Sequence, residues 1–246
     1  MKQSMYTVTS NRPLARDVYE MKLAGDTSAI TAPGQFVNIR LDGLFLRRPL
    51  SVCDWEADSL TLIYKVVGQG TARLSAMMPG EVLDLLTGLG NGYDMGVSGQ
   101  APLLLGGGVG VPPLYGLCRR LVAEGKRPIA VLGFNSREDV FYAEAFAALG
   151  VPVTVTTADG SEGVPGFVTD ALPEAGAYTH FYTCGPEPML RAVYRATVTD
   201  GQFSFEERMG CGFGACMGCS CHTVTGNKRI CKEGPVLRKG EILWQK

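Results

Sequence analysis

Hydrophobic and polar positions alternate along the first ninety residues. Tyr6-Thr7-Val8-Thr9, Gln35 to Arg40, Leu60 to Val67 and Glu81 to Leu85 alternate or carry β-branched runs, the period-two signature of half-buried strands. Pro33-Gly34, Gly68 to Gly70 and Pro79-Gly80 punctuate them. Short strands at this spacing predict a small antiparallel β-barrel. The pattern changes near Ser98-Gly99-Gln100. Strands are predicted at Ala101 to Leu105, Pro128 to Phe134, Val151 to Thr156 and His180 to Cys184, with helices at Pro112 to Glu124, Ala143 to Leu149 and Pro188 to Thr197. Strands alternating with helices predict an α/β doubly wound parallel sheet. From about Ser204 a cysteine-rich loop takes over. The expected organisation is multi-domain: 1–98 a barrel, 99–203 an α/β unit, and 204–246 a small C-terminal loop domain.

Composition narrows the classes. The 246 residues suffice for one large or two ordinary domains, and a net charge of −1 argues against nucleic acid and against an anionic membrane surface. The longest uncharged apolar stretch, Ala101 to Cys118, holds five glycines and three prolines, so a loop-rich site is expected there rather than a spanning helix. The run MKQSMYTVTSNRPLARDVYEMKL has no apolar leader core, and a cytoplasmic location is expected. Eight cysteines in a reducing compartment point to metal binding rather than disulfides.

Four of those cysteines carry the strongest chemistry. Cys211, Cys216 and Cys219 have the C-x4-C-x2-C spacing of plant-type 2Fe–2S centres, with Cys231 further on. Gly210, Gly212, Gly214 and Gly218 are expected to let the loop bend through positive φ. Four thiolates can also hold zinc, although zinc sites usually pair their ligands as two C-x2-C knuckles and only Cys216 and Cys219 are so spaced. Cys221 and His222 lie between the third and fourth cysteines. Cys53, Cys118 and His180 read as core residues.

Three further motifs are weaker alone. Gly106-Gly107-Gly108-Val109-Gly110 follows a strand and opens a helix, so its backbone N–H groups could meet a pyrophosphate; a tight turn is the plainer reading. Cys184-Gly185-Pro186 ends another strand and should face the same crevice, or else serve as a helix cap. Arg47-Arg48-Pro49-Leu50-Ser51, with Tyr64-Lys65 and Gly70-Thr71, could hold a diphosphate, or form an exposed basic hairpin and an ordinary turn.

Together and in order, RRPLS, YKVVGQGT, LLLGGGVGVPPL, YTCGPEPML, ERMGCGFGACMGC and ICKEGPV give a chain that resembles the ferredoxin–NADP reductase superfamily. Within it, the chain is similar to the iron–sulfur electron-transfer subunits of NAD-dependent dihydroorotate dehydrogenases. The resemblance implies FAD bound by Arg48, Pro49, Leu50, Ser51, Ile63, Tyr64, Lys65, Gly70 and Thr71. It implies NAD at Gly106, Gly107, Gly108, Gly110, Cys184, Gly185 and Pro186, and a 2Fe–2S cluster on Cys211, Cys216, Cys219 and Cys231, leaving Cys221 aside. The superfamily often has tyrosine where Leu50 stands. The implied partner is an FMN-containing dihydroorotate dehydrogenase catalytic subunit, two copies of each forming a heterotetramer in pyrimidine (UMP) biosynthesis.

No nucleophile–base pair or general acid stands out, so no catalytic residue is named, and electrons rather than organic groups are expected to pass through the chain. Other readings are the flavin/iron–sulfur subunit of a soluble hydrogenase or an NADPH–ferredoxin oxidoreductase, and a zinc-stabilised redox-sensing protein. Ser136 and Arg137 follow the Pro128 to Phe134 strand without an acidic residue, which leaves NAD against NADP open.

Overall fold

A computed structural model describes residues 1–244. Its first six strands are β1 (Lys2–Ala15), β2 (Val18–Ala24), β3 (Phe36–Arg40), β4 (Arg48–Trp55), β5 (Ser59–Lys65) and, after the short helix α1 (Gln69–Ser75), β6 (Val82–Leu89). They close into an antiparallel barrel in the order β1-β2-β5-β4-β3-β6. Alternation sends Tyr6, Val8, Val37, Ile39, Leu60, Leu62 and Tyr64 into its interior. Three segments depart from the sequence expectation. Strand β4 covers Arg48 to Ser51, expected as a diphosphate segment or a basic hairpin, and runs on to Trp55. Gly68 to Gly70, expected as a turn, leads into α1, because Thr71 Oγ1 accepts from the N–H groups of Val67 (2.9 Å) and Gly68 (3.3 Å) and closes a helical start. Strand β2 was not foreseen: it carries Glu20, 2% exposed, whose carboxylate accepts from Arg12 and from the hydroxyl of Tyr142.

The second unit contains β7 (Pro102–Gly107), α2 (Val111–Ala123), β8 (Ile129–Phe134), α3 (Ala143–Ala147), β9 (Val153–Thr157), β10 (Val164–Pro165), β11 (His180–Cys184), α4 (Glu187–Ala196) and β12 (Gly201–Ser204). Helices cover both faces. Leu114, Leu117 and Leu121 of α2 pack with Leu104, whereas Leu190 and Val193 of α4 pack with Leu103 and Leu105 on the other side. Each such buried leucine contributes roughly 1.5–3 kcal/mol. The chain then forms a hairpin, β13 (Ser220–Thr223) with β14 (Gly226–Arg229), and returns as β15 (Val236–Arg238), which pairs antiparallel with β12. The sheet order is β10-β9-β8-β7-β11-β12-β15, parallel except at this last edge. A three-residue strand is too short to show a period in sequence, so β15 was not foreseen.

Helix α2 also locks the α/β unit to the barrel. Gly116 lies so close to Cys53 that an added Cβ would stand 2.3 Å from its carbonyl oxygen. Asp54 pairs with both Arg119 and Arg120, and the Arg120 guanidinium lies 3.4 Å above the Trp55 ring. The cysteine unit packs on the barrel's other flank, where Phe36, Leu86 and Leu89 meet Cys219, Ile230 and Cys231. Cys53 and Cys118 are fully buried, and His180 is 6% exposed beside Gln202.

Candidate functional site

The barrel is closed, but one of its ladders is short. Strands β4 and β5 share a ladder only at Val52↔Leu62, Asp54↔Thr61 and Trp55↔Leu60. Beyond it, Arg48 to Ser51 pair with β3 alone, and Lys65, Tyr64 and Ile63 pair with β2 alone. The two segments thus splay apart, and each keeps a backbone edge unused by the barrel. Arg48 leans across Gly70: a Cβ there would meet its Nε at 2.4 Å. The neighbouring arginines differ in use. Arg47 is spent on Asp84, bonding both carboxylate oxygens at 3.1 Å, whereas Arg48 bonds the Leu46 carbonyl and has no carboxylate partner among the described residues. The Tyr64 ring turns into the barrel, where its hydroxyl donates to Asn11 Oδ1 at 3.0 Å, so only its backbone reaches the gap. Burial pushes the Tyr64 hydroxyl further up from its ordinary value.

The order β8-β7-β11 places a topological switch between β7 and β11, and ligands of open α/β sheets bind beyond strand ends at such a point. Both glycine-bearing turns are there. A Cβ on Gly110 would lie 2.2 Å from the Cys184 carbonyl oxygen and 2.6 Å from the Gly185 nitrogen, so the two turns touch backbone to backbone. Gly108 takes φ +51° with nothing within 4 Å of where a Cβ would stand. A cleft of about 390 Å³ opens here, lined by Lys65, Gly107, Gly108, Gly133, Thr156 and Met189. Thr156 is fully buried, and its Oγ1 has no hydrogen-bond partner among the described residues. That orphaned hydroxyl and the bare backbone of Gly108 suit a polar, phosphate-bearing ligand. Burial lifts the Cys184 thiol to about 12, so it stays protonated at neutral pH.

The cysteine loop gathers its sulfurs in two pairs. Cys211 Sγ accepts from the N–H groups of Ala215 (3.2 Å) and Cys216 (3.4 Å), and Cys216 Sγ accepts from Cys211 N–H at 3.5 Å. Cys219 Sγ accepts from Cys231 N–H at 3.4 Å, and both of these residues are 2% exposed. Burial pushes the Cys211 thiol up, but backbone N–H groups of Phe213, Cys216 and Ala215 outweigh it and bring it to about 6. Cys231 is pushed the other way, by burial and by its Cys219 neighbour. Among the described residues no three His, Cys, Asp or Glu close on a single-ion site. Two pairs of thiols suit a two-iron centre, which takes two cysteines per iron. The expected glycine roles divide. Gly212 (φ +78°) and Gly214 (φ +93°) bend the loop, whereas Gly210 and Gly218 keep negative or extended φ and leave room for Cys216 Sγ, 3.2 and 3.5 Å from where their Cβ atoms would be. Met217, at φ +61°, makes the bend that Gly218 was expected to make.

All three units meet in one cleft of about 1130 Å³, lined by Arg48 and Pro49 from the barrel, Gly185 and Pro186 from the α/β turn, and Cys221 and His222 from the cysteine hairpin. Residues 206–243 match the model of the iron–sulfur cluster binding domain of dihydroorotate dehydrogenase B, and residues 104–195 match the oxidoreductase NAD-binding domain. The dihydroorotate dehydrogenase B (NAD(+)) electron transfer subunits of Geobacillus sp. (strain WCH70) and Shouchella clausii (strain KSM-K16) are each 44% identical over 256 residues, covering 99% and 98% of this chain and equal shares of their own. The chain belongs to the dihydroorotate dehydrogenase B electron transfer subunits. A solved structure of an NADH-dependent reduced ferredoxin–NADP oxidoreductase, described for flavin-based electron bifurcation, superposes with a TM-score of 0.87 at 28% identity, over 98% of this chain and 90% of that one.

As an electron transfer subunit of this family, the chain is an oxidoreductase component with an iron–sulfur domain, an NAD-binding domain and a flavin-type barrel. The iron–sulfur match removes the zinc reading, and near-full-length identity at 44% favours this family over the hydrogenase and ferredoxin-reductase alternatives. Sequence reasoning missed Thr156, whose alternating strand gives no hint that its hydroxyl lacks a partner. Lys65, expected among the FAD positions, is also one of the residues lining the cleft of Gly107 and Gly108.

Arg137, which follows the Pro128 to Phe134 strand where an arginine could accommodate a 2′-phosphate, is already engaged. Its Nη2 donates to the Ser161 carbonyl at 2.6 Å, and its Nε lies 3.6 Å from Glu162 Oε2. Glu162→Gln should therefore release part of the arginine's charge and improve NADPH use relative to NADH about two- to fivefold, the range of an exposed ion pair. Comparing kcat/KM for the two nucleotides checks this, and an unchanged ratio rejects it. Cys221 lies on β13 and lines the three-unit cleft rather than joining either sulfur pair. Cys221→Ala should leave iron content at the wild-type value, which iron analysis reads directly.

Proposed function

We propose that this chain carries electrons between NAD and an FMN-containing catalytic subunit that oxidises dihydroorotate, in pyrimidine (UMP) biosynthesis. The single cleft lined by barrel, nucleotide turn and cysteine hairpin supports this most strongly, because it lets three redox groups approach one another. FAD would supply exchange between hydride and single-electron chemistry, and a 2Fe–2S cluster would carry single electrons onward.

The chain's own residues bind and orient. Arg48 offers a guanidinium without a carboxylate partner among the described residues for a diphosphate, over the bare backbone of Gly70. The open edges at Arg48 to Ser51 and Ile63 to Lys65 supply backbone donors and acceptors, with Thr71 holding the adjoining turn. Gly106, Gly107, Gly108 and Gly110, with Cys184, Gly185 and Pro186, form the NAD site, and Thr156 gives its free hydroxyl. Cys211 and Cys216 would hold one iron, and Cys219 and Cys231 the other. N–H donors to these sulfurs stabilise negative charge and raise the reduction potential.

The partner approaches the exposed pair. Cys216 is exposed, and beside it Phe213 and Met217 leave 44% and 54% of their surface open. An apolar rim around a redox centre suits a permanent subunit contact, and a heterotetramer of two of each chain is the proposed assembly. No helix among the described residues is long and apolar enough to cross a membrane; a cytoplasmic location is proposed. The domain limits proposed are 1–98, 99–203 and 204–246, with β15 returning to the sheet of the second unit. Co-expression with a dihydroorotate-oxidising flavoprotein tests the reading. A yellow-brown complex containing FMN, FAD and iron, and reducing NAD with dihydroorotate, is expected. A colourless chain carrying zinc would sink the proposal.

A further inference from the structure

Along β3, Val37 and Ile39 face the barrel interior, while Phe36 and Asn38 face the cysteine unit. Around them the contact is apolar: Phe36, Leu86 and Leu89 against Cys219, Ile230, Cys231 and Leu237. Asn38 is a polar insertion in this interface, 1% exposed. Its Nδ2 donates to the Cys211 carbonyl at 3.3 Å, and its Oδ1 has no partner among the described residues. Turning the amide over would set two oxygens face to face, so the orientation is fixed and the orphaned acceptor remains. A buried unpaired acceptor is destabilising, and an apolar side chain on the same face would avoid that cost. The contact is also tight. Gly212 takes φ +78°, and a Cβ on it would lie 2.3 Å from Asn38 Nδ2.

The backbone of Asn38 is held equally firmly. It is registered against Pro49 on one side and Leu86 on the other, and its carbonyl accepts from Arg47 Nη1 at 3.2 Å. One residue thus connects the strand edge at Pro49 to the carbonyl of Cys211. We propose that Asn38 is a positioning residue for electron transfer, holding the cysteine loop at a fixed place against the flavin-bearing edge of the barrel. This rests on the FAD and 2Fe–2S reading above. Asn38 exchanges no electron or proton itself. It sets the separation across which electrons pass.

The test uses the full chain loaded with FAD and cluster, and the variants Asn38→Leu and Asn38→Asp. Both are close in size to asparagine; leucine cannot donate to the Cys211 carbonyl, whereas a buried aspartate that stays protonated still can, so the leucine variant decides. Rapid mixing with NADH separates flavin bleaching from the cluster reduction that follows, and electron paramagnetic resonance reports the reduced cluster. Expected are unchanged FAD content and flavin bleaching, cluster reduction slowed about tenfold or more, and an altered resonance spectrum. A small displacement of reacting groups acts on that scale. Iron lost from a folded variant that retains FAD also supports the proposal, since the loop has then come free. Should the leucine variant fail to accumulate, Asn38→Ser, which adds no bulk and is too short to span the contact, takes its place under the same criteria. Wild-type transfer rate and wild-type spectrum in the loaded deciding variant overturn the proposal while leaving the cofactor reading intact. A wild-type chain that binds neither cofactor overturns both.

Discussion

Replacing Cys219 with serine is expected to remove the iron–sulfur centre and leave FAD bound. The hydroxyl is not deprotonated at neutral pH, whereas the thiolate is the form that ligates iron. Cys219 is 2% exposed and paired with Cys231. The spare cysteine, Cys221, packs beside this pair but also lines the three-unit cleft, and its sulfur makes no hydrogen bond with either pair among the described residues. FAD should survive because the gap beyond the short β4–β5 ladder is built from the barrel's own strands. Serine is also nearly isosteric with cysteine, so Phe36, Leu86 and Leu89 keep their packing on this flank. Iron and flavin analysis of the purified variant gives the answer. Joint loss of FAD and iron from a folded chain would show that the barrel site depends on the cluster.

The second large effect is expected from Gly110→Ala. The added methyl would stand 2.2 Å from the Cys184 carbonyl oxygen, 2.4 Å from its carbon and 2.6 Å from the Gly185 nitrogen. All three are backbone atoms at the end of a buried central strand, so none can swing aside as a flexible side chain would. The turns must part, and with them the two walls of the nucleotide crevice. Overpacking of this kind costs about 1–3 kcal/mol. NADH-dependent flavin reduction should fall by roughly a hundredfold, the scale of a 1 Å misplacement at a reacting centre. Reduction of the flavin by dithionite, which needs no nucleotide site, should stay at the wild-type rate. A variant with wild-type NADH kinetics would mean that the contact between the turns is dispensable.

Much of the fold was legible because its elements are long or strongly patterned. Strand β11 runs over the predicted residues, β8 starts one residue late, α2 is shifted back by one residue at each end, and β7 starts one residue late and runs two residues further. What escaped were elements whose local pattern conflicts with their environment. Strand β2 buries Glu20 because Arg12 and Tyr142, from distant segments, satisfy its carboxylate. Helix α1 begins among glycines that elsewhere end structure, because the Thr71 hydroxyl caps the preceding N–H groups. The candidate site divides in the same way. The cysteine spacing and the glycine loop are properties of contiguous residues, whereas the free Thr156 hydroxyl and the Asn38–Cys211 contact join positions far apart in the chain.

By itself the sequence determined the chemistry: four thiolates at an iron–sulfur spacing, glycine turns suited to phosphates, and an arginine segment suited to a diphosphate. Ligand type and local chain reach depend on residues close together, and those can be read in order. Only the tertiary structure decided which of these groups meet. It separated Arg47 from Arg48, turned the Tyr64 ring inward, kept the ladder between β4 and β5 short, and paired Cys211 with Cys216 and Cys219 with Cys231. Those outcomes depend on strand register and on packing between units, where the deciding contact lies tens to hundreds of residues away along the chain.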